Sequence, residues 1–135
     1  MFAAPTPAFA DDAASVTGNT RMQVEDFVTA FARAHADRDA ETLIASLHPV
    51  VIAGYGEEIC RAHVTATVGS LPPLEIVAVS PVVGYRFQRP GEEDFLTGVV
   101  AVDARATLDD GRTEPWRFNL VVDDGDVSWL SWCGN

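Results

Sequence analysis

Lysine is absent from this chain of 135 residues, and all nine basic side chains are arginines. Its absence excludes Schiff-base chemistry on a lysine amine and the phosphate-binding loop that ends in Gly-Lys-Ser/Thr. Basic residues of any kind are few: 20 acidic residues leave a net charge of −11, which repels a nucleic-acid backbone or an anionic membrane surface. Long apolar runs are missing as well, and none approaches the roughly eighteen residues a membrane span needs. Histidine occurs only at positions 35, 48 and 63, in no metal spacing such as His-Glu-x-x-His, and no cofactor or metal is expected. What remains, 47% hydrophobic and 21% charged residues, is the composition of one globular domain with a single core.

Residues 1 to 19 show no periodicity. Ala8-Phe9-Ala10 before Asp11 has the pattern of a secretory cleavage site, yet the seven residues ahead of it hold two prolines and no basic residue. This stretch reads as a signal remnant or a flexible tail, and the domain as residues 20 to 135. Thr20 with Gln23 forms a capping-box pattern, and Val24, Phe27, Val28, Phe31 and His35 recur at helical spacing, predicting a helix over 21 to 37. Asp39 is placed to cap a second short helix with Leu43, Ile44 and Leu47 inward, stopped at His48-Pro49. An apolar run Val50-Val51-Ile52 and a Gly54-Tyr55-Gly56 turn come next. A third helix over 57 to 68 carries glutamates in its first turn, Gly69 at its end, and an inner face of Ile59, Cys60, His63, Val64 and Thr67. Cys60 beside His63 is either a thiolate with its base or one half of a disulfide to Cys133; the disulfide is the expectation, and it cancels the nucleophile.

After Pro72-Pro73 the period changes to two, predicting strands near 74 to 80, 83 to 88, 95 to 108, 113 to 122 and 126 to 133. Asp110-Gly111 and Asp124-Gly125 read as hairpin turns, the latter in preference to a calcium loop. Trp116, Phe118, Leu120 and Val122 share one face of their strand. Helices first and sheet second predict an α+β fold in which N-terminal helices pack on a strongly curved, mostly antiparallel sheet, a cone with a hollow interior.

Three groups of residues, Leu47-His48-Pro49, Tyr55-Gly56 with Cys60, and Trp129-Leu130-Ser131-Trp132-Cys133-Gly134, carry a resemblance. Over residues 20 to 135 the chain resembles the nuclear-transport-factor-2-like (SnoaL-like) superfamily, and within it the disulfide-bearing extracytoplasmic branch of actinobacterial lipoproteins and secreted proteins. The resemblance implies the cone fold, a secreted or extracytoplasmic location, and a sheet able to form a homodimer. It implies no reaction, because the superfamily hosts enzymes, transport adaptors and binding domains on one scaffold.

The candidate chemistry is sparse. Asp103 and Arg105 share a strand face and, with a second acid, would imitate the Asp-Arg-Asp water activation of the epoxide hydrolases the chain resembles in fold. No second acid is identifiable, and cross-strand ion pairing is the simpler reading. His35 is either a base aimed into a cavity or a histidine held by a helix C-terminus. Tyr55 and Tyr85 are candidate hydrogen-bond donors without an evident partner. Trp129 and Trp132 are expected on opposite faces of the last strand, with Tyr85, Trp116, Trp129 and Trp132 lining a cavity or an interface. The expectation is a secreted, non-catalytic module that binds a small apolar ligand or a protein partner. The alternative is a small isomerase, cyclase or epoxide-hydrolase-like enzyme using His35, Tyr55 or Asp103.

Overall fold

The computed structural model describes residues 16–89 and 91–133. The Ala8-Phe9-Ala10 pattern, Pro90 and Gly134 lie outside the described residues. Four helices precede six strands: α1 (Gly18–Ala36), α2 (Ala40–Ala45), α3 (Pro49–Tyr55), α4 (Glu57–Thr67), then β1 (Leu74–Pro81), β2 (Tyr85–Arg89), β3 (Glu92–Leu96), β4 (Val99–Thr107), β5 (Thr113–Asp123) and β6 (Asp126–Trp129). The fold is α+β. Strands β1, β4, β5 and β6 form a four-stranded antiparallel sheet in the order β1-β4-β5-β6, while β2 and β3 make a separate hairpin.

Helix α1 starts three residues earlier than the capping-box reading places it. Thr17 is the cap, its Oγ1 accepting from the Thr20 backbone N–H at 3.2 Å, and packing begins at Val16, whose N–H donates to the Val79 carbonyl at 3.4 Å. Asp39 caps α2 as expected, through Thr42 N–H at 3.2 Å. That helical run ends at Ala45 with Ser46 as its cap, ahead of the expected stop at His48-Pro49, and the apolar stretch after Pro49 is a third helix rather than a short apolar run and a turn. The His48 imidazole accepts from Val50 N–H at 3.0 Å and Pro49 occupies the first helical turn, where a missing N–H costs nothing. These local signals, with Val51 fully buried, override the low helix propensity of three consecutive β-branched residues.

The predicted strand over 95 to 108 is two strands. Gly98 separates them at φ 74°, and a Cβ there would stand 2.5 Å from the Val122 carbonyl oxygen, so the chain turns at this point and only glycine fits. The Asp124-Gly125 hairpin has positive φ at both positions, which matches the right-handed twist of β5 and β6. Strand β1 carries a register shift between Ile76 and Ala78. The last strand stops at Trp129, short of the predicted 133, because residues 130 to 133 leave the sheet to reach α4.

Even-numbered positions of β4 and β5 face α1. Val24 and Val28 of the helix pack with Val100, Val102 and Leu120 in one buried cluster. A second cluster joins Ala34, Leu43, Leu47, Val51, Cys60, Val64, Phe87 and Cys133. Trp129 touches both. Its indole N–H donates to the Leu43 carbonyl at 2.8 Å, its backbone N–H to the Ser46 carbonyl at 3.0 Å, and its own carbonyl accepts from His48 N–H at 2.9 Å. The Cys60–Cys133 disulfide fastens α4 to the C-terminal segment across a sequence separation of 73. Closing such a loop contributes about 4 kcal/mol in the chain-entropy account. The bond removes the Cys60 thiolate reading, and with it any role for His63 as a thiolate's base.

Candidate functional site

Between α1, α4 and the inner face of the sheet lies a cavity of about 250 Å³. Its walls are Phe27, Val28, Phe31 and His35 from α1, Val64 and Thr67 from α4, Trp116, Phe118 and Leu120 from β5, and Trp129 with Leu130 at the C-terminus. Leu43, Ser70, Leu71, Leu74 and Asn119 complete it. Thr67 and Ser70 are exposed and mark the mouth, whereas His35, Leu43, Val64 and Leu120 are buried and form the floor.

The helical period places Phe27, Phe31 and His35 one above another on α1. Phe27 and Phe31 stack at 5.8 Å, Phe31 and His35 tilt together at 4.9 Å, and Trp129 meets Phe31 edge-on at 5.0 Å. The aromatic column therefore holds the one ionisable side chain that lines the cavity. His35, 8% exposed, accepts on Nδ1 from the Gly69 backbone N–H at 3.1 Å. Gly69 sits at φ 90° just past α4, and a Cβ there would press on the Arg38 guanidinium at 3.0 Å. Arg38 in turn donates to the Val68 carbonyl at 3.2 Å. Burial pushes the His35 imidazole below its ordinary 6.5, towards the neutral form. Rather than a cation stabilised at a helix C-terminus, it is a neutral ring tied to the turn after α4.

The other candidates lie elsewhere. Asp103 projects from the outer face of β4, where Arg117 of β5 holds it with two hydrogen bonds, Nε to Oδ1 at 2.8 Å and Nη2 to Oδ2 at 3.3 Å. Arg105 pairs instead with Glu75 of β1 at 3.3 Å. These are cross-strand ion pairs bordering a shallow groove on that face. Tyr55, at the end of α3, packs edge-on to Phe87 at 6.4 Å, and Tyr85 packs against the same helical cluster; neither lines the cavity. Trp116 lines the cavity and donates its indole N–H to Glu114 at 3.2 Å.

Trp132 is not on the sheet, since β6 has ended. It lies 5.7 Å from Phe87 and is 57% exposed. Among the described residues no three His, Cys, Asp or Glu side chains converge as a metal site, and no helix is long and apolar enough to cross a membrane. Leu43, Leu71, Leu74 and Phe118 were not legible as cavity residues. An apolar residue carries no mark that separates lining from filling, and the loop over 70 to 73 carries no chemical motif.

No protein-family model, no curated protein and no solved structure matches this chain.

Proposed function

We propose that this domain binds a small apolar molecule in the cavity between α1, α4 and the sheet, without transforming it. One observation carries the reading: the three candidate acid/base residues occupy three separate places, and His35 is the single ionisable side chain on the cavity. General acid/base chemistry on a bound ligand ordinarily needs two positioned groups, or one group and a polarising donor array, within hydrogen-bond reach. A cavity of about 150 Å³ takes benzene, so about 250 Å³ suits a ligand somewhat larger than a single ring. The cone architecture and membership of the nuclear-transport-factor-2-like superfamily are part of this proposal. They are supported by the helix-over-sheet arrangement, the shift in β1 and the hollow under α1. A secreted or extracytoplasmic location is likewise proposed, supported by the Cys60–Cys133 disulfide, which persists in oxidising compartments.

The test is a heteronuclear NMR titration with isopropylbenzene. Shifts are expected at Phe31, Val64, Leu120 and Trp129, and Thr67→Trp, placed on the exposed mouth, should suppress them without unfolding the protein. Shifts scattered over the surface, or unaffected by Thr67→Trp, overturn the proposal.

A further inference from the structure

We infer that the cavity selects neutral ligands bearing one hydrogen-bond acceptor, a ketone, ester or ether oxygen, which His35 receives on its Nε2–H. The inference rests on the reading of the cavity as a ligand site and adds to it the chemical class of the ligand.

The first step is the tautomer. Nδ1 of His35 accepts a hydrogen bond from the backbone N–H of Gly69 at 3.1 Å, so its lone pair is engaged and the ring proton resides on Nε2. The donor is main chain: Gly69 follows the Val68 cap of α4 in a left-handed conformation, with its N–H on the ring that α1 carries. Rotating the ring to free Nδ1 would leave that N–H without its partner.

The second step is the state of Nε2. Among the described residues it has no hydrogen-bond partner, and none of the buried side-chain nitrogens or oxygens there is unsatisfied. A ring nitrogen that is neither sealed nor partnered there is open to a ligand, and the space His35 lines is the cavity. Competing donors are already engaged. Thr67 donates its hydroxyl to the His63 carbonyl at 3.1 Å and Ser70 to the Thr67 carbonyl at 2.6 Å. The indole N–H groups of Trp116 and Trp129 are held by Glu114 and by the Leu43 carbonyl. Asn119 borders the cavity, but strand alternation groups it with Arg117 and Val121 rather than with Phe118 and Leu120.

The third step is charge. No aspartate, glutamate, arginine or lysine lines the cavity, so a cationic amine finds no counter-ion and meets a donor where it needs an acceptor. An anionic carboxylate would be matched only by an imidazolium, which requires a proton on Nδ1 and loss of the Gly69 bond. Burial, which disfavours the charged ring, acts in the same direction. A neutral acceptor on an apolar body fits what is there.

The experiment measures affinities of wild type and His35→Phe for acetophenone and for isopropylbenzene, which keeps the shape and lacks the oxygen. Benzoate and benzylamine are added on wild type. His35→Phe is expected to lower the affinity for acetophenone relative to isopropylbenzene roughly three- to tenfold, the worth of one hydrogen bond. Benzoate and benzylamine should bind at least about tenfold more weakly than acetophenone, because each buries an unmatched charge. Equal effects of the substitution on both neutral probes, or a preference for benzoate or benzylamine, overturn the inference and leave the cavity reading intact. Failure of both neutral probes to perturb the cavity overturns the two together. If His35→Phe does not fold, the wild-type ring decides: its nitrogen spectrum should show a protonated Nε2 and a bare Nδ1, with the Nε2–H signal moving on addition of acetophenone and not of isopropylbenzene. A proton on Nδ1, or a signal indifferent to acetophenone, overturns the inference.

Discussion

The two faces of the four-stranded sheet are built from alternate residues of the same strands and have opposite characters. Towards α1, Val100, Val102, Phe118 and Leu120 meet phenylalanines and valines around an apolar hollow with His35 on its wall. On the other face, Asp103, Arg105, Arg117 and Glu75 neutralise one another across strands. The outer face displays more charged groups and offers less chemistry, because each carboxylate is already matched by a guanidinium in solvent. On the inner face a single neutral imidazole is worth more, since no charged side chain lines the cavity to compete for what it binds.

Substitutions can break or sharpen this contrast. The largest effect is expected at Trp129, which packs against both buried clusters and donates to the Leu43 carbonyl. Trp129→Ala should cost about 3 to 5 kcal/mol, read as a lower urea midpoint at unchanged slope. A loss under about 1 kcal/mol would mean the two clusters are not joined there. Next comes the disulfide. Replacing Cys60 and Cys133 together by alanine should cost about 2 to 4 kcal/mol and free the C-terminal wall of the cavity, so probe affinity should fall along with stability. An unchanged midpoint would show that residues 130 to 133 are held by packing alone.

A smaller effect is expected from acid. His35 and His48 each accept a backbone N–H on Nδ1, and burial lowers both below their ordinary 6.5, with Asp123 partly opposing the shift at His48. The unfolded chain then binds protons that the folded one refuses. Stability from these groups is complete above the unfolded value and is lost as pH falls through the folded one. The urea midpoint should therefore be lower at about pH 5.5 than at about pH 7.5. A higher midpoint at the acid end would contradict the neutral-ring account. The smallest effect belongs to the outer face. Asp103→Asn removes an exposed ion pair, so it should change stability by less than about 1 kcal/mol and leave isopropylbenzene affinity unchanged. Lost binding in that variant would move the site to the wrong side of the sheet.

Much of the scaffold was legible because its signals are local. Asp39 as a cap, Gly69 as a stop, the Asp124-Gly125 turn and the strand period of β5 act within a few residues. Helix α3 was misread where Val50-Val51-Ile52 and Gly54 argued locally against a helix and the His48 cap with Pro49 prevailed. The site was legible only in part. Phe27, Phe31 and His35 appear as a stripe in the sequence, but the partner that sets the state of His35 is a backbone N–H 34 residues away, and a main-chain group leaves no signature. Asp103 was equally conspicuous, and only the register with Arg117 shows that it is occupied.

The most direct test of the central claim is a crystal soaked with 4-bromoacetophenone and measured for the anomalous signal of bromine. The account predicts one peak enclosed by Phe31, Val64 and Leu120, with the ketone oxygen directed at His35. A peak in the outer groove beside Asp103 and Arg117, or none, would contradict it.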